Sequence, residues 1–273
     1  MRHTDAAPRI VRHVSRGVSA ILLDAGGVLV FPQPGLLLPA LFAAGVFPDV
    51  AALERAHYRA MVVQDLAATP PVAGTWWRDY LTGYVAACGV PPERCGEVAL
   101  QIVEVTRGHA WSHVGTGATS GLQALAALGV PMGVVSNSDG TVEAELRRLG
   151  VCHAPDGHGS AGQYVPGGGP PASPPDAGVR VGVVVDSAVV GLAKPDPAIF
   201  GIALDAIGVP ASSAVLYVGD SLRYDVTGAR AAGLRPVHLD PNGFCPAPDG
   251  HRHIRTLAEL ADSMGSALTA RRR

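Results

Sequence analysis

The chain has 273 residues, enough for one sizeable domain or a core with a smaller inserted one. Its 21 Lys and Arg against 23 Asp and Glu give a net charge of −2, which excludes both a strongly basic nucleic-acid binder and an acidic solvated tail. At 48% apolar residues it can build a hydrophobic core, and its 34 glycines and 23 prolines stay short of a low-complexity composition.

The N-terminus carries Arg2, Arg9, Arg12 and Arg16 ahead of an apolar stretch that Asp24 soon interrupts. This pattern reads as a basic mobile tail over residues 1–17, without a signal-peptide cleavage signature. The apolar run Leu36 to Phe47 contains Pro39 and is too short for a bilayer, so a cytoplasmic protein without membrane contact is expected. Cys88, Cys95, Cys152 and Cys245 are dispersed without a CxxC pair, which indicates neither a disulfide framework nor a zinc ribbon.

Short apolar runs recur along the chain. Ser19–Leu23, Met132–Val135, Val181–Val185, Val215–Val218 and Pro236–Leu239 are apolar on both alternations, as strands buried on both faces are. Helical patterns fall between them, at Thr119–Leu128, Gly140–Leu149, Pro197–Ile207 and Tyr224–Ala232. The alternation predicts a doubly wound, mainly parallel α/β sheet. Ligands of such sheets bind at the carboxyl ends of strands, which points to Asp24, Ser136 and Asp220.

From Gly35 to about Thr116 no strand is expected. Helical patterns at Val50–Ala67, Thr75–Cys88 and Pro92–Arg107 predict an inserted all-helical domain over residues 34–116. The α/β core then comprises residues 18–33 and 117–264, with a tail at 265–273. Glycine and proline concentrate at 153–178, a stretch expected to be a disordered insertion because it offers little apolar area to offset its ordering entropy.

Four signals stand in order at the predicted strand ends. They are Asp24-Ala-Gly-Gly after the first run, Ser136-Asn137 after the second, Lys194-Pro-Asp-Pro197 ahead of a helix, and Gly219-Asp220-Ser-Leu-Arg-Tyr-Asp225. This ordered set resembles the haloacid dehalogenase (HAD) superfamily of hydrolases from about Val18 to His238. The resemblance implies a Rossmann-like core with a small helical cap between the first two motifs. It also implies a phosphatase-like hydrolase for a small phosphorylated molecule. Asp24 would be the nucleophile that forms an aspartyl-phosphate. Mg²⁺ would be held by Asp24, Asp220, Asp225 and the main-chain carbonyl of Gly26. Lys194 would neutralise phosphoryl charge, while Ser136 and Asn137 would contact substrate.

The sequence departs from the family pattern at Gly26, where phosphatases of the superfamily carry a second Asp as acid and base. General acid–base assistance is worth ~10²–10⁴ in rate, so a slow phosphatase is expected. Two alternatives follow from the same residue: a Mg²⁺- and phosphate-binding module without turnover, and a dehalogenase. Asp220 argues against the dehalogenase, whose fourth motif lacks that acid.

Other residues have plainer readings. Cys152, His153 and His158 match no common zinc spacing. His109 and His113 are expected in a hinge between the two domains. Trp76, Trp77, Tyr80 and Tyr84 form an aromatic helix face, most simply a packing face. Arg223, beside a motif residue, is expected either to touch substrate or to make a local hydrogen bond, and Arg271–Arg273 form a solvated tail.

Overall fold

The computed structural model describes residues 17–67, 76–106, 110–155, 177–247 and 250–270. The expected tail at 1–17 and the predicted insertion therefore lie almost wholly outside the described residues, as do His109, His158 and Arg271–Arg273. No helix among the described residues is long and apolar enough to cross a membrane.

In chain order, the elements begin with β1 (Ala20–Leu23), β2 (Val30–Phe31) and the helices α1 (Pro34–Ala43), α2 (Val50–Leu66), α3 (Trp76–Ala87) and α4 (Pro92–Val105). They continue with β3 (His113–Val114), α5 (Ala118–Ala126), β4 (Met132–Ser136), α6 (Val142–Arg148), β5 (Cys152–His153) and β6 (Val179–Arg180). The remainder is β7 (Val184–Asp186), α7 (Ser187–Val190), α8 (Ala198–Ile207), β8 (Val215–Gly219), α9 (Thr227–Ala231), β9 (Arg235–Leu239), β10 (Arg252–Ile254) and α10 (Leu257–Ala270).

Six strands pair in the order β10-β9-β8-β1-β4-β7, all parallel, as the alternating pattern predicts. The central strand β1 is buried throughout, and its side chains divide between faces with a period of two. Ile21 and Leu23 join one cluster with Leu122, Leu146 and Leu260, whereas Ala20 and Leu22 join the other with Phe200, Leu204 and Tyr217. After β1 the chain fills β4 and β7 on one side, then crosses to β8, β9 and β10 on the other. The strand order thus reverses about β1, where doubly wound sheets place their ligands.

Helices α1–α4 share a cluster built on Leu37, Leu41, Leu53, Tyr84, Val98 and Ile102. The Asp49 side chain caps α2 by accepting from the Ala52 amide at 2.7 Å. Within the aromatic helix face, Tyr80 and Tyr84 are buried in this cluster, as the packing reading predicts.

Several expectations need correction. Residues 34–116 are not strand-free: β3 pairs antiparallel with β2, matching Phe31 to His113, so His113 sits in a two-stranded ladder. Cys152 and His153 form β5, which pairs with β6, so ordered backbone runs into the predicted insertion from both ends. Only 156–176 lie outside the described residues there. The chain beyond 264 is not a tail either, because α10 continues to Ala270. Leu257, Leu260, Ala261 and Met264, at helical spacing, anchor it on the first cluster. Close approach at Gly121 admits it, since a Cβ there would meet Leu257 Cβ at 2.6 Å.

Candidate active site

Strands β8, β1 and β4 are neighbours, so their carboxyl ends bring Asp220, Asp24 and Ser136 to one rim. All three are buried and line a cavity of about 680 Å³ between the sheet rim and the helices α2, α3 and α4. Gly26, Asn137, Lys194 and Asp225 line it too, so every residue expected from the sequence to belong to the site is assembled there.

Lys194 organises the centre. Its Nζ lies 2.8 Å from Asp24 Oδ2, 2.8 Å from Asp225 Oδ1 and 2.8 Å from the Tyr217 hydroxyl. Three partners use all three of its N–H donors. Burial alone would lower its pKa, but Asp225 and Asp24 outweigh burial and raise it, so the ammonium is a fixed charge. Asn137 holds the lysine backbone from both sides, accepting from Lys194 N at 2.8 Å and donating to Lys194 O at 3.0 Å. The side-chain amide of Asn137 is thereby engaged in positioning the lysine.

Asp225 is fully engaged as well. Its Oδ1 receives Lys194 and lies 3.1 Å from the Tyr217 hydroxyl, while its Oδ2 accepts the amides of Asp220 and Ser221 at 3.0 Å each. It reaches those amides from a wide turn, Leu222–Val226, in which Val226 N bonds back to Ser221 O. Gly219 makes room: a Cβ there would stand 2.3 Å from Asp225 Cγ. The predicted helix from Tyr224 begins in this turn and becomes α-helical only at Thr227.

Asp24 accepts from its own neighbour's amide, Ala25 N, at 2.7 Å. Burial pushes its carboxyl up to about 7; Lys194 opposes that rise, and the charges of Asp225 and Asp220 add to it. Asp220 meets a residue that sequence reasoning did not single out. His57, on α2 and 1% exposed, places Nε2 2.6 Å from Asp220 Oδ2 and Nδ1 2.8 Å from the Tyr80 hydroxyl. Gly27, at φ +69°, permits this approach, because a Cβ would fall 2.3 Å from both Asp220 Oδ2 and His57 Nε2.

Two further residues escaped the sequence. Asp65, near the end of α2, accepts from Ser221 Oγ at 2.7 Å, Leu222 N at 2.7 Å and Arg223 N at 3.0 Å, which ties the helical layer to the wide turn. Arg223 donates to the Ala67 carbonyl just past α2, so its bond spans the two layers and is not the local one expected. Trp111 covers Gly26: its ring would stand 3.2 Å from a Cβ there. An acid at position 26 would carry a known signal, whereas a tryptophan 85 residues later that covers its place carries none.

The charge balance tests the expected cation. Asp24, Asp139, Asp220 and Asp225 line the cavity beside Glu145, whose charge Arg148 already pairs, and Lys194 is the single Lys or Arg among the described lining residues. One carboxylate oxygen from each of Asp24, Asp220 and Asp225 lies within 4.8 Å of the others. Buried carboxylates this close are costly without compensating positive charge, and hard oxygen donors suit Mg²⁺. The residues present therefore fit the ion. Asp24 and Asp220 fit best, with Asp225 the least available because both its oxygens are already engaged.

Comparisons with known proteins bear on the family and the fold. A family model described as haloacid dehalogenase-like hydrolase matches residues 18–233. A zebrafish (Danio rerio) haloacid dehalogenase-like hydrolase domain-containing protein 3 is 31% identical over 166 residues, covering 60% of this chain and 57% of that protein. A phosphoserine phosphatase of Thermus thermophilus is 48% identical over 58 residues, 21% of this chain and 23% of the relative. A rat (Rattus norvegicus) phospholysine phosphohistidine inorganic pyrophosphate phosphatase is 37% identical over 84 residues, 29% of this chain and 30% of the relative. The matches thus span from under a quarter to just over half of these relatives' lengths. Among solved structures, a HAD-hydrolase, YfnB of Bacillus subtilis, described as bound to magnesium, superposes with a TM-score of 0.56 at 16% identity, covering 90% of this chain and 98% of that one. This last likeness concerns the fold.

Proposed function

Because the chain belongs to the haloacid dehalogenase-like hydrolase family, we propose that this hydrolase is a Mg²⁺-dependent phosphatase that acts on a small phosphorylated molecule through Asp24. The observation that carries this reading is Lys194 Nζ held 2.8 Å from both Asp24 Oδ2 and Asp225 Oδ1 beside Asp220. Phosphatases among the relatives, and the magnesium described for the Bacillus subtilis protein, support it.

In the proposed reaction an Asp24 oxygen attacks phosphorus and the ester oxygen leaves with its bonding pair. Water then cleaves the aspartyl-phosphate, which restores the carboxylate and releases phosphate. Asp24, Asp220, the Gly26 carbonyl and the more encumbered Asp225 would hold Mg²⁺, which when bound would supply positive charge to offset the repulsion of an anionic nucleophile and a phosphate. Lys194 contributes a fixed charge, Ser136 a hydroxyl donor, and Asn137 keeps the lysine in place. Helices α1–α4 act as the cap: Tyr80 on α3, together with Trp111 on the segment between α4 and β3, lies over the reacting group to exclude water and select substrate.

The leaving oxygen receives no proton from position 26. Loss of a general acid costs ~10²–10⁴ in rate, or about 3–5 kcal/mol of barrier. The enzyme therefore favours aryl and acyl phosphates over alkyl ones. His57 does not fill the vacancy in this arrangement, since both its ring nitrogens are engaged. A second reading, Mg²⁺ and phosphate binding without turnover, draws on the way Trp111 covers Gly26.

An aryl phosphate assay with Mg²⁺ or with chelator, on wild type and Asp24→Asn, decides between them. Metal-dependent release that vanishes in the variant supports the phosphatase. Mg²⁺ binding without release in either protein supports the binding module. Halide release from a haloacid in chelator would overturn both.

A further inference from the structure

A second cluster of ligating side chains lies at the far edge of the sheet. His238 on β9 and His253 on β10 are direct partners in the parallel register, so both project from the same face. Their rings stand 5.2 Å apart, and the ring of His251 lies 5.2 Å from the first and 4.4 Å from the second. Cys245 completes the group: one nitrogen or sulfur from each of His238, Cys245, His251 and His253 lies within 4.8 Å of the others.

The spacing within the cluster suits tetrahedral coordination. With Zn–N about 2.05 Å and Zn–S about 2.3 Å, tetrahedral edges are about 3.3 Å for N···N and about 3.6 Å for N···S. His238 Nδ1 lies 3.1 Å from His251 Nε2, and Cys245 Sγ lies 3.7 Å from that same nitrogen. The outer contacts also resemble those of a metal site. His238 Nε2 lies 3.0 Å from the carbonyl oxygen of Asp220, an atom that can only accept. The proton therefore sits on Nε2, which turns the Nδ1 lone pair toward the cluster.

The cysteine is held ready by its loop. Asp240 accepts from Phe244 N at 2.8 Å and from Cys245 N at 3.0 Å, and the Arg59 guanidinium stacks 3.6 Å from the Phe244 ring centroid. His253 Nε2 is shielded from solvent and has no hydrogen-bond partner among the described residues.

We propose that His238, Cys245, His251 and His253 form a four-ligand site for a zinc-class divalent cation, separate from the acidic site at Asp24. The mixed thiolate and imidazole donors select a borderline-soft ion and disfavour Mg²⁺. With all four positions filled by protein, the site is structural. It fastens the loop after β9 to the edge strand and, through His238, fixes the backbone carbonyl of Asp220.

The test is Co²⁺ titration of untagged, metal-stripped protein, followed by Zn²⁺ displacement. One equivalent should give intense tetrahedral visible bands and a near-ultraviolet thiolate-to-cobalt band, all removed by one equivalent of Zn²⁺. The same spectrum should persist in Asp24→Asn. Cys245→Ser should lose the near-ultraviolet band, and His253→Gln should weaken Co²⁺ binding at least tenfold, with near-native circular dichroism in both. A wild type without the thiolate band, or a band that survives Cys245→Ser, would overturn the site. Should Cys245→Ser not fold, the wild-type spectrum and His253→Gln still decide it.

Discussion

His57 Nε2 lies 2.6 Å from Asp220 Oδ2, although 163 residues separate the two in the chain. The contact gives the acidic end of β8 a partner from the helical layer in a place where both side chains are buried. Replacing His57 with Leu would leave Asp220 and the Tyr80 hydroxyl without it. A buried polar group deprived of its partner costs about 1–3 kcal/mol, and more when charged. His57→Leu should therefore unfold at lower denaturant, and Mg²⁺ should raise its midpoint more than it raises that of wild type. An equal Mg²⁺ increment in the two proteins would show that the imidazole does not compensate Asp220.

Asp65 links the same helix to the wide turn beyond Asp220. Its carboxylate accepts three donors, among them the amides of Leu222 and Arg223, which precede Asp225 in the turn. Asp65→Ala should lose about 2–3 kcal/mol of stability, judged from two deprived amides and one hydroxyl. It should also speed hydrogen exchange at Leu222 and Arg223 more than in β8. Uniform exchange changes across the sheet would instead mean a general loss of packing.

The parts of this site that can be read from sequence are those whose signal is local. Asp24, Ser136 and Asp220 each follow an apolar run, and Lys194 precedes a helix-opening Pro-Asp-Pro, so their placement needs only the strand-end rule and the order of motifs. His57, Asp65 and Trp111 have no such marker. Periodicity locates the helix that carries His57 and Asp65, but not the strand tip that its end approaches. The second cluster divides in the same way: Cys245, His251 and His253 are close in sequence, and only the pairing of β9 with β10 adds His238. The two-residue strands β2, β3, β5 and β6 are too short for alternation to register.

Asp24 gives stability a pH dependence whose sign is fixed. Its carboxyl is raised by burial from an unfolded value near 3.8 to about 7 in the folded protein. Between those values the folded state holds a proton that the unfolded state has released. The unfolding free energy contributed by this group is thus fully present below about pH 4 and is lost as pH rises through 7, by at most ~1.4 kcal/mol per pH unit. In chelator, wild type minus Asp24→Asn should show this decline in denaturant midpoints. Saturating Mg²⁺, which favours the carboxylate, should flatten the difference. A difference that grows with pH in chelator would contradict the buried, destabilised carboxylate.

Position 26 offers the most direct test of what the site lacks. Gly26 has no positive φ, so an aspartate can adopt its backbone conformation, but a Cβ would stand 3.2 Å from Trp111. That distance requires the ring to yield by a few tenths of an ångström before a carboxyl can point at the leaving group. Gly26→Asp alone should therefore gain little, whereas Gly26→Asp with Trp111→Leu should raise turnover of alkyl phosphates about ten- to a hundredfold, the lower part of the general-acid range. Aryl phosphates, whose oxygen leaves without protonation, should gain much less. The ratio of the two gains separates a restored proton donor from a mere widening of the pocket, which would raise both alike. If neither substrate gains while Mg²⁺ binding is retained, the missing acid is not what limits the reaction, and binding without turnover becomes the better account of Asp24, Lys194 and Asp220.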